Sequence, residues 1–311
     1  MAKINIIDRC PTVDAIYAEY EKRQGDGRRV HLGGSLLGKE CERALFYSFR
    51  WASQVQHAGR LLRLFQSGHL QEPRLIEDLR ATGITVYEVD ESTGEQFTVS
   101  ACNGHAGGSM DGIAIGIHAA PKSWHLLEFK TSNAKGFREL QNKGLQAAKP
   151  QHYSQMQFYL GLSGLERGFY MAVNKDDDNI YTERVYPDPD EFARLMARAE
   201  RVINAQSPPA RLSNDPSFFL CKRCEHKSIC HEGGQPERNC RTCLSVTVAD
   251  HGMWFCERHG NTLETREQKR GCPDQRFLPG LVPGDQIDTD ADGLLISYRM
   301  KDGSEWVDDG P

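Results

Sequence analysis

In the segment Trp124–Asn133, "WHLLEFKTSN", an acid at Glu128 and a base at Lys130 stand two residues apart in a strand-like run. Side chains two apart on a strand share a face, with Cα atoms roughly 6–7 Å apart. Leu127 and Phe129 then turn to the other face. A second carboxylate, Asp111, lies upstream in "GGSMDGIAIGI". If these segments pair through the turn-like "HAAPK", Asp111 comes alongside Glu128. Two converging carboxylates repel unless a cation lies between them, and a hard, oxygen-ligated ion such as Mg²⁺ or Mn²⁺ suits them. Such an ion polarises a phosphoryl oxygen and lowers the pKa of a bound water. A lysine beside that water could orient it or take its proton. Simple alternation puts Asp111 with Ile113 and Ile115, the expected core face, so a bend or bulge near Gly112 must re-aim it. Gly107, Gly108 and Gly112 are expected to leave room for a metal or a phosphate backbone. Taken alone, E-x-K is a common string whose plain reading is a surface ion pair. Its neighbours make the case.

The elements around these residues follow from periodicity. "SLLGKECERALFYSFRWA" reads as a helix with Ser35 as N-cap. "RLLRLFQSGHLQEPRLIEDLRATG" reads as helix, a break near Gly68 and Pro73, and helix again to Gly83. "ITVYEVD", "QFTVS", "GGSMDGIAIGI" and "SWHLLEFK" predict an antiparallel meander. Residues 135–163 are expected to be helical, and "ERGFYMAVNK" and "NIYTERVY" to be two strands around "DDD". Asp188-Pro189 opens a helix with Glu191 at a capping-box position and Phe192, Leu195, Met196, Ala199, Val202 and Ile203 on its apolar face.

Composition bounds the function classes. The 311 residues carry a net charge of −5, so a nucleic-acid partner is not announced by overall charge and a basic patch must be local. Lys130, Lys135, Arg138, Lys143 and Lys149 against Glu139 form such a stretch, equally readable as a solvated helix face. No apolar run of 18 residues predicts a membrane span. The N-terminal apolar run is too short for a signal peptide. The expectation is a soluble cytosolic chain.

Seven of the ten cysteines lie between Cys221 and Cys272, a clustering that favours metal over disulfide in a reducing compartment. "CKRCEHKSIC" supplies Cys221, Cys224 and Cys230, which need a fourth ligand; for zinc, His226 or His231 would serve. Cys240, Cys243 and Cys256 form a second set, with Cys272 or His259 as fourth ligand of a small zinc module. Cys10 and Cys102 read as ordinary thiols.

Asp111 followed by Glu128-Phe129-Lys130 resembles the D…(D/E)xK core of the PD-(D/E)xK nuclease superfamily. "SGHLQEP", with His69 and Glu72, and "QMQFY", with Gln155 and Tyr159, resemble motifs of its RecB-like and lambda-exonuclease-like branches. The resemblance covers residues 35 to about 230. It implies a mixed α/β, restriction-endonuclease-like αβββαβ core, with Asp111, Glu128, the Phe129 carbonyl and His69 or Glu72 binding Mg²⁺ or Mn²⁺. Lys130 would act on the attacking water, and Gln155 and Tyr159 would hold the site or the DNA. In iron–sulfur members, AddB-like and CRISPR-associated exonuclease-like, an upstream cysteine joins three that follow the core. Cys41 with Cys221, Cys224 and Cys230 resembles that set and implies a [4Fe–4S] cluster, with zinc as the rival. The resulting expectation is a nuclease domain over 1–236, a zinc-binding module over 237–282, and an acidic tail over 283–311 with a hairpin around Asp302-Gly303. The expected function is a DNA exonuclease of end processing or recombination, phage-like, with a recombination or single-strand-binding partner. The alternative is an inactive DNA-end-binding or adaptor protein.

Overall fold

The computed structural model describes residues 10–311. Its centre is a mixed five-stranded sheet of β1 (Thr85–Tyr87), β2 (Gly112–Ile115), β3 (His125–Ser132), β4 (Gly168–Asn174) and β5 (Ile180–Val185), paired in that order. The β1–β2, β2–β3 and β4–β5 pairs are antiparallel; β3–β4 is parallel. A parallel pair needs a long crossover. Here it is carried by helices α3 (Ala134–Ala148) and α4 (Pro150–Ser163), after α1 (Gly59–His69) and α2 (Gln71–Ala81) and before α5 (Pro189–Asn204).

Both faces of β3 are covered, which is why it reads as a nearly continuous apolar run. Leu127 and Phe129 pack with Leu75, Ile76 and Leu79 of α2. Leu126 packs on the other side with Met156 and Leu160 of α4 and Tyr170 of β4. Glu128 and Lys130 therefore project toward α4. Helix α5 buries Leu195, Ala199, Val202 and Ile203, a helical-period stripe.

Several local expectations are revised. Residues 35–52 do not form one helix: a short helix Gly34–Leu37, capped by Gly33, precedes a second over Glu42–Phe49. Ser35 is thus inside a helix and not its cap. A Cβ at Gly38 would lie 2.8 Å from the Gln151 Cα, so the close pass of α4 requires glycine where the first helix ends. Arg198 of α5 donates to the carbonyls of Leu37 (3.1 Å) and Glu40 (2.8 Å), holding the break open. The α1–α2 break falls at Leu70, and Pro73 sits in the first turn of α2, where its missing N–H costs nothing. Residues 135–163 split into α3 and α4. The capping box at Asp188 is half made: Glu191 N–H donates to Asp188 (3.1 Å), but the Glu191 carboxylate turns to Ser154 (2.6 Å) and Arg194.

The meander is also divided. Thr98–Ala101 pairs with Ala106–Ser109 in a separate sheet that also takes Leu32–Gly33. "GGSMDGIAIGI" is therefore two strands in two sheets, broken at Met110-Asp111.

The C-terminal residues add two three-stranded sheets, one over Val246–Leu263 and one over Gly284–Asp308. The second contains the expected hairpin, Ile296–Met300 against Glu305–Asp308. One apolar core crosses residue 236: Leu45, Phe46 and Phe49 pack with Cys240, Val246 and Trp254. Two buried guanidinium groups bind the regions together. Arg241 lies 3.7 Å over the Trp51 ring and donates to the Phe49 and Val30 carbonyls at 3.1 and 2.9 Å. Arg50 donates to the Arg241 and Ala205 carbonyls at 3.2 and 3.0 Å. With no carboxylate within salt-bridge distance among the described residues, burial lowers both pKa values, to about 9 for Arg241, where Arg50 adds to the effect, and about 10 for Arg50.

Candidate active site

The antiparallel ladder between β2 and β3 ends at Gly112↔Leu127. The next inward N–H of β3, that of Phe129, donates to the Asp111 carboxylate at 2.7 Å. No bulge re-aims Asp111. The chain passes from one sheet to another at that residue, and the side chain takes the hydrogen bond the missing strand would have made. This brings Asp111 beside Glu128 and Lys130.

Glu128 is 0% exposed, which excludes the surface-pair reading. One oxygen meets the Lys130 ammonium and the other accepts from the Gln155 amide at 3.1 Å. Lys130 also donates to the Phe129 carbonyl at 3.2 Å. Burial pushes the Glu128 carboxyl up to about 7; Lys130 opposes the rise and Asp111 adds to it. For Lys130, burial works against the charge, but Glu128 and Asp111 outweigh it and raise its pKa.

Glu72, in the first turn of α2, is half-buried, and its pKa is raised by burial and then by Asp111. It therefore faces the same site. His69 is exposed, with 75% of its side chain in solvent, and reaches the site only through a 3.3 Å contact to Glu72. Gln155 and Tyr159 lie one turn apart on α4. Tyr159 is buried, and its hydroxyl is pushed up to about 12 by burial and then by Glu128. It therefore stays protonated at neutral pH. Two of the three glycines serve packing near this residue and the β-strands. A Cβ at Gly108 would lie 2.3 Å from the Tyr159 hydroxyl, and one at Gly107 2.4 Å from the Val99 carbonyl. Gly112 likewise lies against the Tyr87 carbonyl at 2.9 Å.

His152 is a site residue that sequence reasoning missed. It precedes Gln155 by three and Tyr159 by seven, the same helical face. Its Nδ1 is 2.9 Å from the Tyr170 hydroxyl, and Tyr170 is the strand partner of Glu128. Burial, with Lys130 and Lys149, drives the imidazole down to about 3, so it is neutral. The signal was present as H-x₂-Q-x₃-Y spacing.

The basic stretch divides. Lys135, Arg138 and Lys143 are exposed on α3. Lys149 is half-buried and turned inward, its ammonium 2.9 Å from where a Gly136 Cβ would stand.

The two cysteine sets are each gathered. Burial raises the Cys221 and Cys224 thiols, and Cys41 and Cys230 act on both. Cys41 is the N-cap of Glu42–Phe49, in the loop held by Arg198. His226 is committed elsewhere: its ring nitrogens meet Ser48 at 2.9 Å and Ser53 at 2.7 Å, which argues against it as fourth ligand. His231 is half-buried at the end of Lys227–His231. Burial raises Cys240 to about 12, followed by Cys243, Cys272 and Cys256. These four and His259 line one cavity, with Cys272 Sγ 3.6 Å from His259 Nε2. Among the described residues, no three His, Cys, Asp or Glu side chains are already drawn into a metal-holding group.

No protein-family model matches the chain, and no curated protein matches it. Solved structures do. The crystal structure of SSO0001 is 18% identical over 70% of this chain and 95% of its own, with a TM-score of 0.43. LHK-Exo, an alkaline exonuclease from Laribacter hongkongensis, is 18% identical over 60% and 90%, TM-score 0.42. Its complex with dAMP gives 15% over 60% and 89%, TM-score 0.40. The fold class, mixed α/β, stands on the sheet topology above, and the functional reading rests on the site. No helix among the described residues is long and apolar enough to cross a membrane.

The raised carboxyl of Glu128 gives a pH signature. Between about pH 4.5 and 7 the folded protein keeps a proton that the unfolded chain has lost, so rising pH erodes stability across that window. In metal-free buffer, Glu128→Gln removes this erosion. Its stability relative to wild type is expected to climb by a few kcal/mol from pH 4.5 to 7, measured by urea unfolding. A constant difference would mean that Glu128 titrates normally.

Proposed function

We propose that this chain is a metal-dependent DNA nuclease that hydrolyses phosphodiester bonds, acting as an exonuclease in end processing or recombination. The observation that carries the reading is the Phe129 N–H to Asp111 bond. It brings the Asp111 carboxylate against the strand segment that carries Glu128 and Lys130.

The donor set fits a hard cation. Asp111, Glu128 and Glu72 offer oxygen, and the buried, proton-retaining Glu128 is what a carboxylate becomes when its neighbours are acids and its one counter-charge is Lys130. Asp111, Glu128 and the Phe129 carbonyl would hold Mg²⁺ or Mn²⁺, with Glu72 as a further ligand and His69 supporting Glu72. Bound there, the ion would polarise a phosphoryl oxygen and lower the pKa of a water. The carboxylates raise the Lys130 pKa and a bound cation would oppose them; beside the ion, Lys130 would orient the attacking water or take its proton. Gln155 fixes the Glu128 carboxylate, and Tyr159 is a neutral donor on the same helix face. Lys135, Arg138 and Lys143, free on α3, would neutralise backbone phosphates; Lys149 serves the interior.

The cysteines are read as two structural metal centres. Cys41, Cys221, Cys224 and Cys230 would clasp the two ends of the nuclease core around a [4Fe–4S] cluster, zinc being the rival. Cys240, Cys243 and Cys256 with Cys272 or His259 would hold zinc. Burial raises the Cys240 and Cys243 thiols, and a bound zinc ion would take them as thiolates.

With Mg²⁺ or Mn²⁺, wild-type protein is expected to degrade end-labelled linear DNA. Lys130→Ala and Asp111→Ala should each lose at least roughly 10³-fold, the scale of a lost transition-state contact plus its ion. A wild type without activity, or a Lys130→Ala variant that cuts equally, overturns the reading. Anaerobic purification with elemental analysis checks the cysteines. A brown protein with iron, sulfide and one zinc is expected, and Cys230→Ser should lose the colour together with folding. A colourless protein holding two zinc ions would replace the cluster with zinc.

A further inference from the structure

A cleft remote from Asp111 and Glu128 lies between the Glu42–Phe49 helix, the Arg211 loop and the C-terminal sheet. Four cationic side chains line it, Arg43, Arg211, Arg299 and Lys301, against one carboxylate, Asp285. This is the reverse of the chain's overall balance of −5.

Most of these charges are unneutralised. Arg43 is aimed by neutral partners: it donates to the Tyr47 hydroxyl at 2.7 Å and the Pro209 carbonyl at 2.8 Å, its guanidinium 5.4 Å from the Tyr47 ring centroid. Arg211 donates to the Cys230 carbonyl, and its Nε is buried with no hydrogen-bond partner. Among the described residues neither these two nor Lys301 has a carboxylate within salt-bridge distance. Arg299 stands opposite Asp285 in strand register and 3.9 Å from Glu305, both side chains largely in solvent, where such a pair is weak. Guanidinium forks fixed by backbone carbonyls suit oxyanions that accept two parallel bonds. Four cations converging on one cleft complement a ligand that carries several negative charges, as a phosphodiester backbone does.

We propose that this cleft binds the phosphodiester backbone of DNA outside the reacting site, making the C-terminal sheet part of the substrate track. The inference rests on the reading that DNA is the substrate, and it gives that substrate a second point of attachment.

The test uses the full chain. Binding of a labelled 30-base-pair duplex is measured in EDTA from 50 to 200 mM NaCl, for wild type and for Arg299→Glu/Lys301→Glu. Both residues are surface positions, so folding is retained; Arg211→Gln is the second variant. The double variant is expected to bind about tenfold more weakly at 100 mM, with a salt slope shallower by about 2, near one per lost phosphate contact. Hydrolysis of bis(p-nitrophenyl) phosphate, a single phosphodiester that cannot occupy the cleft and the reacting site at once, should be unchanged. Equal affinity and slope in both variants would overturn the proposal. So would a variant that loses inorganic phosphate binding but keeps the DNA slope, which would mark a free-phosphate site. A wild type that binds with this slope but never cuts defeats the nuclease reading and leaves this inference standing.

Discussion

A single unmade rung of a β-ladder organises the site. Strand β2 stops pairing at Gly112, and the Phe129 N–H would be a buried orphan costing about 1–3 kcal/mol. The Asp111 carboxylate fills it. The bond that completes the sheet is therefore the same bond that places the first acid. Its partner strand carries Glu128 and Lys130 on either side of that N–H, so geometry among the three is set by backbone and not by flexible side chains. The chain change from one sheet to the other at Met110-Asp111 is what frees the aspartate for this task.

Around that bond the structure tolerates electrostatic cost. Glu128 is buried, and its second oxygen is held by Gln155 from α4. Burial favours its neutral form, while Lys130 draws it toward the charged form. A carboxylate in that balance responds strongly to any added positive charge, which is the behaviour wanted of a metal ligand. His152 and Tyr170 stand behind it as neutral groups, so Lys130 is the nearby cation that answers the acids.

Much of this was legible in the chain. Alternation placed Glu128 and Lys130 on one face, and helical spacing placed Gln155 and Tyr159 together. The helical character of 135–163 and the two strands after it were readable from periodicity, and the C-terminal hairpin from its Asp302-Gly303 turn. Other features were not readable, because non-local contacts decide them. The helix break at Gly38 depends on α4 passing within contact and on Arg198 reaching from α5. The roles of Gly107 and Gly108 depend on Val99 and Tyr159, far along the chain. The meander's division reflects which sheet each half of one segment joins, and local propensity is the same in both. Nothing local in the sequence marks Arg50 and Arg241 for burial; their partners are distant carbonyls and tryptophan rings.

Those two arginines also explain why the C-terminal residues are not an appendage. They hydrogen-bond across residue 236 in both directions, and one core spans the junction. Asp111, Glu128 and Lys130 meet on the central sheet of that assembly. The most direct measurement of that centre is Mn²⁺ binding followed by electron paramagnetic resonance. One ion per chain should bind the wild type and Lys130→Ala, and binding should vanish in Asp111→Asn and Glu128→Gln. Equal Mn²⁺ binding in wild type and Asp111→Asn would contradict the account.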